Sequence, residues 1–219
     1  MPLYATWLEF SDRLNEHVEL FTNFVAEQPV YSAAPDLSLS DACMLEGQVS
    51  RVWQFWCCYW RSCLLESCCG TTDGNGVAIQ AHNSALSEDH VSSAAIRAKK
   101  NTIPYWVGAN TVLRFEPTWG DTDTLATIIP RLSPANQSQL LAAVSSAHTA
   151  AKNLQKIRNC IAHTDSQSLA EIISFQTSYQ SFPIKQAIDS LFWVHPKSHD
   201  YLFLEVIDEL RDCAFAAIS

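Results

Sequence analysis

The stretch from Leu39 to Cys69 reads LSDACMLEGQVSRVWQFWCCYWRSCLLESCC, and this pattern predicts one long helix. Ser38 and Asp41 offer capping side chains at its start, and Gly70 is a natural stop at its end. Its second half is apolar nearly all round, through Val52, Trp53, Phe55, Trp56, Cys57, Tyr59, Trp60, Cys63, Leu64 and Leu65. Such a helix is usually central in the core or covered by a second subunit. The sequence therefore predicts an all-α fold in which this helix lies in the core or against a second subunit.

Several other segments carry the same helical period. Apolar residues recur every three or four positions from Leu3 to Val25, and Thr6 to Glu9 has the spacing of a capping box. Turn residues at Gln28-Pro29 and Ala34-Pro35-Asp36 mark the loop that follows. Further helices are predicted over residues 87–100, over 121–129 up to Pro130, from a cap at Ser168 onward, and over 199–217.

The helical pattern breaks between Asn101 and Gly120. Ile103–Val107 and Thr111–Phe115 favour extended backbone, with a small hairpin around Gly108–Asn110. We expect this stretch to form a small irregular or extended insertion in a helical bundle. Residues 1–219 are predicted to form a single domain.

Composition bounds the possible functions. Hydrophobic residues make up 47% of the chain, charged residues only 17%, and the net charge is −9. This balance counts against broad, sequence-independent binding of nucleic acids, which requires a basic face. A nuclease with this charge must concentrate its cations in one cleft or recognise its substrate by shape. The densest basic cluster is Arg97, Lys99 and Lys100, and three such charges are often only a solvated face.

The eight cysteines favour reduced thiols over disulfides. Five of them crowd one apolar helical run, where neighbours are poorly placed to bridge each other. The N-terminal region carries Glu9 and Asp12 and lacks a basic start followed by an apolar run, and no apolar stretch is long enough to span a membrane. We therefore expect a cytoplasmic protein without a membrane segment.

The longest regular helical pattern in the chain carries the candidate catalytic residues near its C-terminal end. It is predicted to begin at Ser133-Pro134 and to end near Thr164-Asp165-Ser166. One apolar stripe runs along it through Leu140, Val144, Ala147, Ala151, Leu154 and Ile161. This pattern predicts a single amphipathic helix.

The C-terminal part of this helix reads Lys156-Ile157-Arg158-Asn159-Cys160-Ile161-Ala162-His163. Lys152, Lys156, Asn159 and His163 fall in one stripe on the helical wheel, so the Asn159 amide is placed to orient the His163 imidazole. Arg158 points away from that stripe, toward the apolar face. A guanidinium in that position needs a carboxylate, a phosphate or a partner chain.

An arginine followed by a polar residue, variable positions and a histidine near a helix end resembles the signature of the HEPN superfamily. Here the signature reads from Arg158 to His163. The superfamily consists of all-α proteins and includes many metal-independent ribonucleases. The resemblance covers this helix and the general architecture, about a quarter of the chain. Leu45–Gly76 and Phe115–Asp121 are more faintly similar to uncharacterised bacterial relatives.

The resemblance implies a mechanism and partners. Two subunits of a homodimer would bring their Arg158 and His163 side chains together around an RNA phosphodiester. His163 would be the general acid or base, Arg158 would clamp the phosphate, and Asn159 would orient His163 or bind the phosphate. Lys152, Lys156 and Arg61 would help to bind the substrate. No metal or cofactor is needed, because the ribose 2′-hydroxyl is the nucleophile and the product is a cyclic phosphate.

Related proteins often act as toxins or in defence against phage, so an antitoxin or regulatory protein is a further possible partner. Several alternatives remain open from the residues alone. Arg158 can pair with an internal carboxylate while His163 interacts favourably with the helix dipole. Cys160 can act as a nucleophile beside His163, and Arg61 can be a salt-bridged arginine. A non-catalytic helical dimer that binds a nucleotide or a protein also fits, and the acidic balance favours it.

Overall fold

The computed structural model describes residues 2–27, 33–163 and 165–219, and this part of the chain is all-α, as predicted. Its eight α-helices are α1 (Leu3–Ala26), α2 (Leu39–Cys69), α3 (Glu88–Lys99), α4 (Thr122–Leu132), α5 (Gln137–Ser146), α6 (His148–Ala162), α7 (Ser166–Ile173) and α8 (Leu202–Ala216). Strands β1 (Thr71–Thr72) and β2 (Ala78–Ile79) pair antiparallel, with Thr71 opposite Ile79.

The central helix α2 has the predicted bounds. Ser38 and Asp41 cap its start, since the Asp41 N–H donates to the Ser38 hydroxyl oxygen at 3.2 Å and the Ser38 N–H donates to the Asp41 carboxylate at 3.3 Å. Gly70 ends it with a φ of 91°, a left-handed conformation in which a side chain would also meet Ala81. Its largest side chains are fully buried, among them Trp56, Trp60 and Leu64. The prediction of a helix central to the core is therefore confirmed.

The chain divides into two compact units. The first consists of Met1–Ser11, Phe55–His148 and Arg211–Ser219, and the second of Asp12–Gln54 and Thr149–Leu210. The four boundaries between these stretches fall inside α1, α2, α6 and α8, the one in α6 directly after its first residue. Each unit is thus assembled from stretches that are distant in the sequence.

The first unit has an aromatic core. Trp56 and Trp60 meet edge to face with ring centroids 5.5 Å apart, and Phe10 packs on Tyr59 at 4.9 Å. The Tyr59 hydroxyl donates to the Ala214 carbonyl at 2.6 Å, which satisfies the one polar group of that ring. Helix α4 packs against both α3 and α5.

The second unit is centred on other aromatic side chains. Phe21 packs against Phe192 and Phe203 at centroid distances of 5.7 and 5.0 Å. Trp193 is fully buried, and its indole donates to the Phe182 carbonyl at 3.1 Å. Helix α7 of this unit packs against the 3₁₀ helix Ala187–Phe192, which supplies Phe192 to this core.

Residues 101–120 form the predicted irregular insertion, but the prediction of a hairpin within it is wrong. The segment contains a 3₁₀ helix at Leu113–Phe115 and no strand. Its polar groups bond to α3 instead of to a partner strand: the Thr111 hydroxyl donates to the Asp89 carbonyl at 2.7 Å, and Arg97 donates to the Pro104 carbonyl at 2.7 Å. Contacts with a helix therefore replace the expected strand ladder.

The prediction of a single helix between Ser133 and Thr164 is wrong, because two helices occupy that stretch. Ser133 ends α4 in a left-handed conformation with a φ of 52°. Helix α5 begins three residues after Pro134, and α6 starts after a break at Ala147. The apolar stripe predicted along the helix is nevertheless buried from Leu140 to Leu154, so its periodicity continues across the break.

Other predicted boundaries differ by a few residues. Helix α4 continues through Pro130, and Asp165 rather than Ser168 caps α7. Thr6 lies inside α1, where its hydroxyl donates to Glu66 at 2.9 Å instead of capping the helix. The loop signal at Gln28-Pro29 and the helix end at Thr164 lie outside the described residues.

All eight cysteines are free thiols, as expected. Among the described helices, none is both long enough and apolar enough to cross a membrane.

Candidate functional site

Arg158 lies half-buried near the C-terminal end of α6. Its neighbours Ile157 and Cys160 are buried, which fixes this side of the helix against the core. The guanidinium donates to the side-chain oxygen of Asn159 at 3.2 Å. Within the described residues no carboxylate pairs with it, so the charge of Arg158 is held by a neutral amide.

The Asn159 amide therefore contacts Arg158 and not His163. The i,i+4 spacing predicts instead that this amide orients the imidazole. The backbone does follow that spacing, since the His163 N–H donates to the Asn159 carbonyl at 2.8 Å. The side chain turns instead toward its sequence neighbour, and this orients the guanidinium.

His163 is exposed just after the last residue of α6. Its carbonyl accepts from the Asp165 N–H at 2.6 Å, while the Asp165 carboxylate caps α7 by accepting from the Ser168 N–H at 2.8 Å. Hydrogen bonds from Ser168 and a smaller electrostatic contribution from His163 lower the pKa of Asp165. An ionised carboxylate is thus present close to the imidazole.

The two predicted substrate-binding lysines also lie on α6. Lys152 and Lys156 are both half-buried, one helical turn apart. The Lys156 ammonium lies over the Phe175 ring, 5.6 Å from its centroid. An aromatic face leaves most of the ammonium open to a second, anionic partner.

Arg61 belongs to a different environment in the first unit. Its Nε and Nη2 donate to the two carboxylate oxygens of Glu116 at 2.8 and 2.9 Å. The guanidinium is therefore bound in a bidentate ion pair. This is the salt-bridged alternative, and it removes Arg61 from the residues expected to bind substrate.

Glu116 is the centre of a small network. It accepts from the Ser92 hydroxyl at 2.5 Å and from the Trp119 indole at 2.9 Å, in addition to Arg61. Burial alone would raise the pKa of Glu116, but these hydrogen bonds outweigh it and lower the pKa to about 2. Together they connect α2 and α3 to the end of the insertion.

The rest of the Phe115–Asp121 segment is also structural. The Gly120 carbonyl accepts from the buried Trp56 indole at 3.0 Å, and the Asp121 carboxylate caps α4 by accepting from the Asp123 N–H. Asp121 thus serves as the N-terminal cap of α4. Within the described residues, no three His, Cys, Asp or Glu side chains are grouped closely enough to hold a metal ion.

A cavity of about 300 Å³ adjoins the end of α6. Its lining combines apolar side chains with charged and polar ones from four parts of the second unit: Glu46, Cys160, Ile161, Asp165, Ser166, Leu169, Lys185, Gln186 and Ala187. Two of its walls are Cys160 and Ile161, which lie between Asn159 and His163 in the sequence. The cavity thus adjoins the segment that carries Arg158, Asn159 and His163, although none of these three residues is part of its lining.

Cys160 is poorly suited to be a nucleophile. Its side chain is buried, and burial raises the pKa of the thiol. The thiolate is the reactive form, so a raised pKa reduces reactivity at neutral pH. Cys160 contributes an apolar wall to the cavity.

Sequence reasoning missed Glu46 and Lys185, which line the same cavity. Both are charged residues that belong to no recognisable motif, and more than a hundred positions separate them in the sequence. Only the fold brings Glu46 of α2 to the same cavity as the end of α6.

No protein-family model, curated protein or solved structure matches the chain.

Proposed function

We propose that this protein is a metal-independent endoribonuclease of the HEPN type. One observation carries the proposal: Arg158 is a half-buried cation with no carboxylate partner in the described residues, five positions before an exposed histidine. A guanidinium cannot lose its proton, so it keeps its charge for an anionic ligand. An RNA phosphodiester supplies such an anion.

The chemistry follows from the two side chains. His163 accepts the proton of the ribose 2′-hydroxyl, or donates a proton to the leaving 5′-oxygen, because histidine titrates near neutral pH. The 2′-oxygen attacks the adjacent phosphorus, the bond to the 5′-oxygen breaks, and a 2′,3′-cyclic phosphate forms. Arg158 stabilises the charge that develops on the phosphate oxygens. Asn159 holds Arg158 in place through the 3.2 Å hydrogen bond.

A homodimer completes the site in this proposal. Acid and base roles require two groups, and each subunit offers one His163. A symmetric interface at the C-terminal end of α6 supplies the second histidine and the second arginine. Lys152 and Lys156 on the same helix would bind flanking phosphates. The biological setting that fits is a toxin or phage-defence effector controlled by an antitoxin or regulatory protein.

The test is RNA cleavage in the presence of EDTA. Wild-type protein is compared with His163→Ala and Arg158→Ala, and the products are analysed for cyclic phosphate ends. His199→Asn and Lys197→Ala serve as matched controls, because both residues are exposed in the same unit and asparagine tolerates the left-handed backbone at His199. We expect cleavage by wild type and both controls and its loss in both site variants.

Equal activity in all five proteins would indicate a contaminating nuclease and would end the proposal. A protein that remains monomeric at micromolar concentration, measured by light scattering, would leave the composite site unassembled.

The acidic net charge of −9 favours a second candidate, a non-catalytic helical dimer that binds a nucleotide or a partner protein. Nucleotide or partner binding without any cleavage, in a protein that is a dimer, would support this alternative.

A further inference from the structure

The cavity beside α6 contains two opposite charges that the described part of the chain leaves unpaired. Glu46 is half-buried and Lys185 is exposed, and neither side chain has an ion-pair partner among the described residues. Asp165 also lines the cavity, but its carboxylate is occupied by the Ser168 N–H and hydroxyl. The charged groups of the cavity that have no ion-pair partner among the described residues are therefore one carboxylate and one ammonium, beside the Ser166 hydroxyl and the Gln186 amide.

The remaining walls are either apolar or polar and uncharged. Cys160, Ile161, Leu169 and Ala187 supply apolar surface, whereas Ser166 and Gln186 supply a hydroxyl and an amide, and the amide donates to Asp189 at 3.3 Å. A flat ligand with apolar faces and polar edges fits a lining that mixes apolar and polar side chains in this way. Nucleobases have this character, because their faces are apolar and their edges carry donors and acceptors.

The position of the cavity relates it to the proposed reaction. Cys160 and Ile161 line it from the same helical turn that carries Asn159, and His163 follows two residues later. In RNA, the base attached to the ribose with the attacking 2′-hydroxyl lies next to the scissile phosphate. A phosphate held at Arg158 and His163 thus places that base near this cavity.

We infer that the cavity is a base subsite that selects guanine on the 5′ side of the cleaved phosphodiester, an inference that rests on the proposed ribonuclease function. Guanine is the one RNA base whose Watson–Crick edge presents two adjacent donors, N1–H and the exocyclic N2 amine. The two oxygens of the Glu46 carboxylate accept from that pair, and the Lys185 ammonium donates to O6. Adenine, cytosine and uracil each place an acceptor against the carboxylate.

The first experiment measures binding and does not depend on cleavage. Guanosine, adenosine, cytidine and uridine 3′-monophosphates are titrated into the full-length protein by calorimetry. We expect the guanosine nucleotide to bind about 10-fold or more tightly than the other three, since a bidentate contact discriminates at this level. Four equal affinities would overturn the inference.

Variants separate the subsite from general effects. Glu46→Gln keeps the shape of the side chain and replaces one acceptor oxygen with a donor, so the preference for guanosine should fall to within about 3-fold. Glu19→Gln on α1 is the matched control, because Glu19 is exposed in the same unit and does not line the cavity. Leu169→Trp fills the cavity and should weaken binding of all four nucleotides. Unchanged preference in Glu46→Gln would contradict the inference.

Mapping of RNA cleavage sites distinguishes the two proposals. Cleavage after guanosine that becomes indiscriminate in Glu46→Gln supports both. Cleavage without base preference, unaltered by Glu46→Gln, overturns the guanine subsite and leaves the ribonuclease. A protein that cleaves no RNA but binds the guanosine nucleotide through Glu46 overturns the ribonuclease and keeps the subsite.

Discussion

Two arginines of this chain, Arg61 and Arg158, are both half-buried on helices, yet their surroundings differ. Arg61 is neutralised by the Glu116 carboxylate through two hydrogen bonds. Among the described residues, Arg158 donates only to the neutral Asn159 amide. A neutralised guanidinium stabilises its own fold, whereas one held by an amide keeps its charge available to an incoming anion. The comparison separates a structural cation from a candidate functional one.

The largest expected effect distinguishes the two arginines by activity. Arg158→Ala should reduce RNA cleavage by about 10²- to 10³-fold, as the loss of a group that stabilises transition-state charge typically does. The same change should alter the free energy of unfolding by no more than about 0.5–1 kcal/mol, because no ion pair is broken. Cleavage rates and urea unfolding measure the two effects. A large loss of stability in Arg158→Ala would place it in the same class as Arg61.

The next effect is on stability in the first unit. Glu116→Ala removes the partner of Arg61 together with the acceptor for Ser92 and Trp119, and it should lower the free energy of unfolding by about 3 kcal/mol. Urea unfolding followed by circular dichroism measures the change. Asp36→Ala, which removes an exposed carboxylate in the other unit, is the control and should change the free energy of unfolding by less than about 0.5 kcal/mol. Equal stability of Glu116→Ala and wild type would refute the structural role of the network.

The pKa of Glu116 predicts how acid weakens this network. The folded pKa of about 2 lies below the ordinary value of 4.5, so the ionised carboxylate favours the folded state. Its contribution, about 2–3 kcal/mol, is fully present above about pH 5 and is lost as the pH falls toward 2. Unfolding free energies at pH 6, 4 and 3 should show this decline, and Glu116→Gln should lack that part of it. Parallel pH profiles for the two proteins would contradict the prediction.

The smallest effect concerns one hydrogen bond of the network. Ser92→Ala removes a fully buried hydroxyl that donates to Glu116. The loss should cost about 1–2 kcal/mol, because the bond involves an ionised acceptor while two other partners remain. Thermal unfolding measures it. An unchanged melting temperature would show that Arg61 and Trp119 alone account for the network.

The features that could be predicted from sequence are those with a strong local cause. The bounds of α2 follow from its capping residues and from Gly70, and the burial of its second half follows from the nearly continuous apolar sequence there. The insertion at residues 101–120 was recognisable because its helical period fails. Its hairpin was wrongly predicted, since side chains of α3 bond to the polar groups that a partner strand would otherwise satisfy.

The candidate site shows the limit of local reasoning more clearly. Arg158 and His163 could be selected from their spacing. The spacing does not decide whether the Asn159 side chain contacts Arg158 or His163. No glycine or proline lies at Ala147, where α5 ends and α6 follows, so the local sequence does not predict this break. The cavity depends on Glu46, which only tertiary structure brings to α6.

The passage of α1, α2 and α8 from one unit into the other affects how the protein can be divided. No single cut in the gene yields either half intact, since each half draws on at least two separate stretches. Truncation is therefore a poor way to isolate the α6 end for biochemistry, and point variants in the whole polypeptide are the appropriate tool. An end-to-end fusion of two genes would give two units that follow each other in the sequence. The alternating stretches of this chain do not have that arrangement.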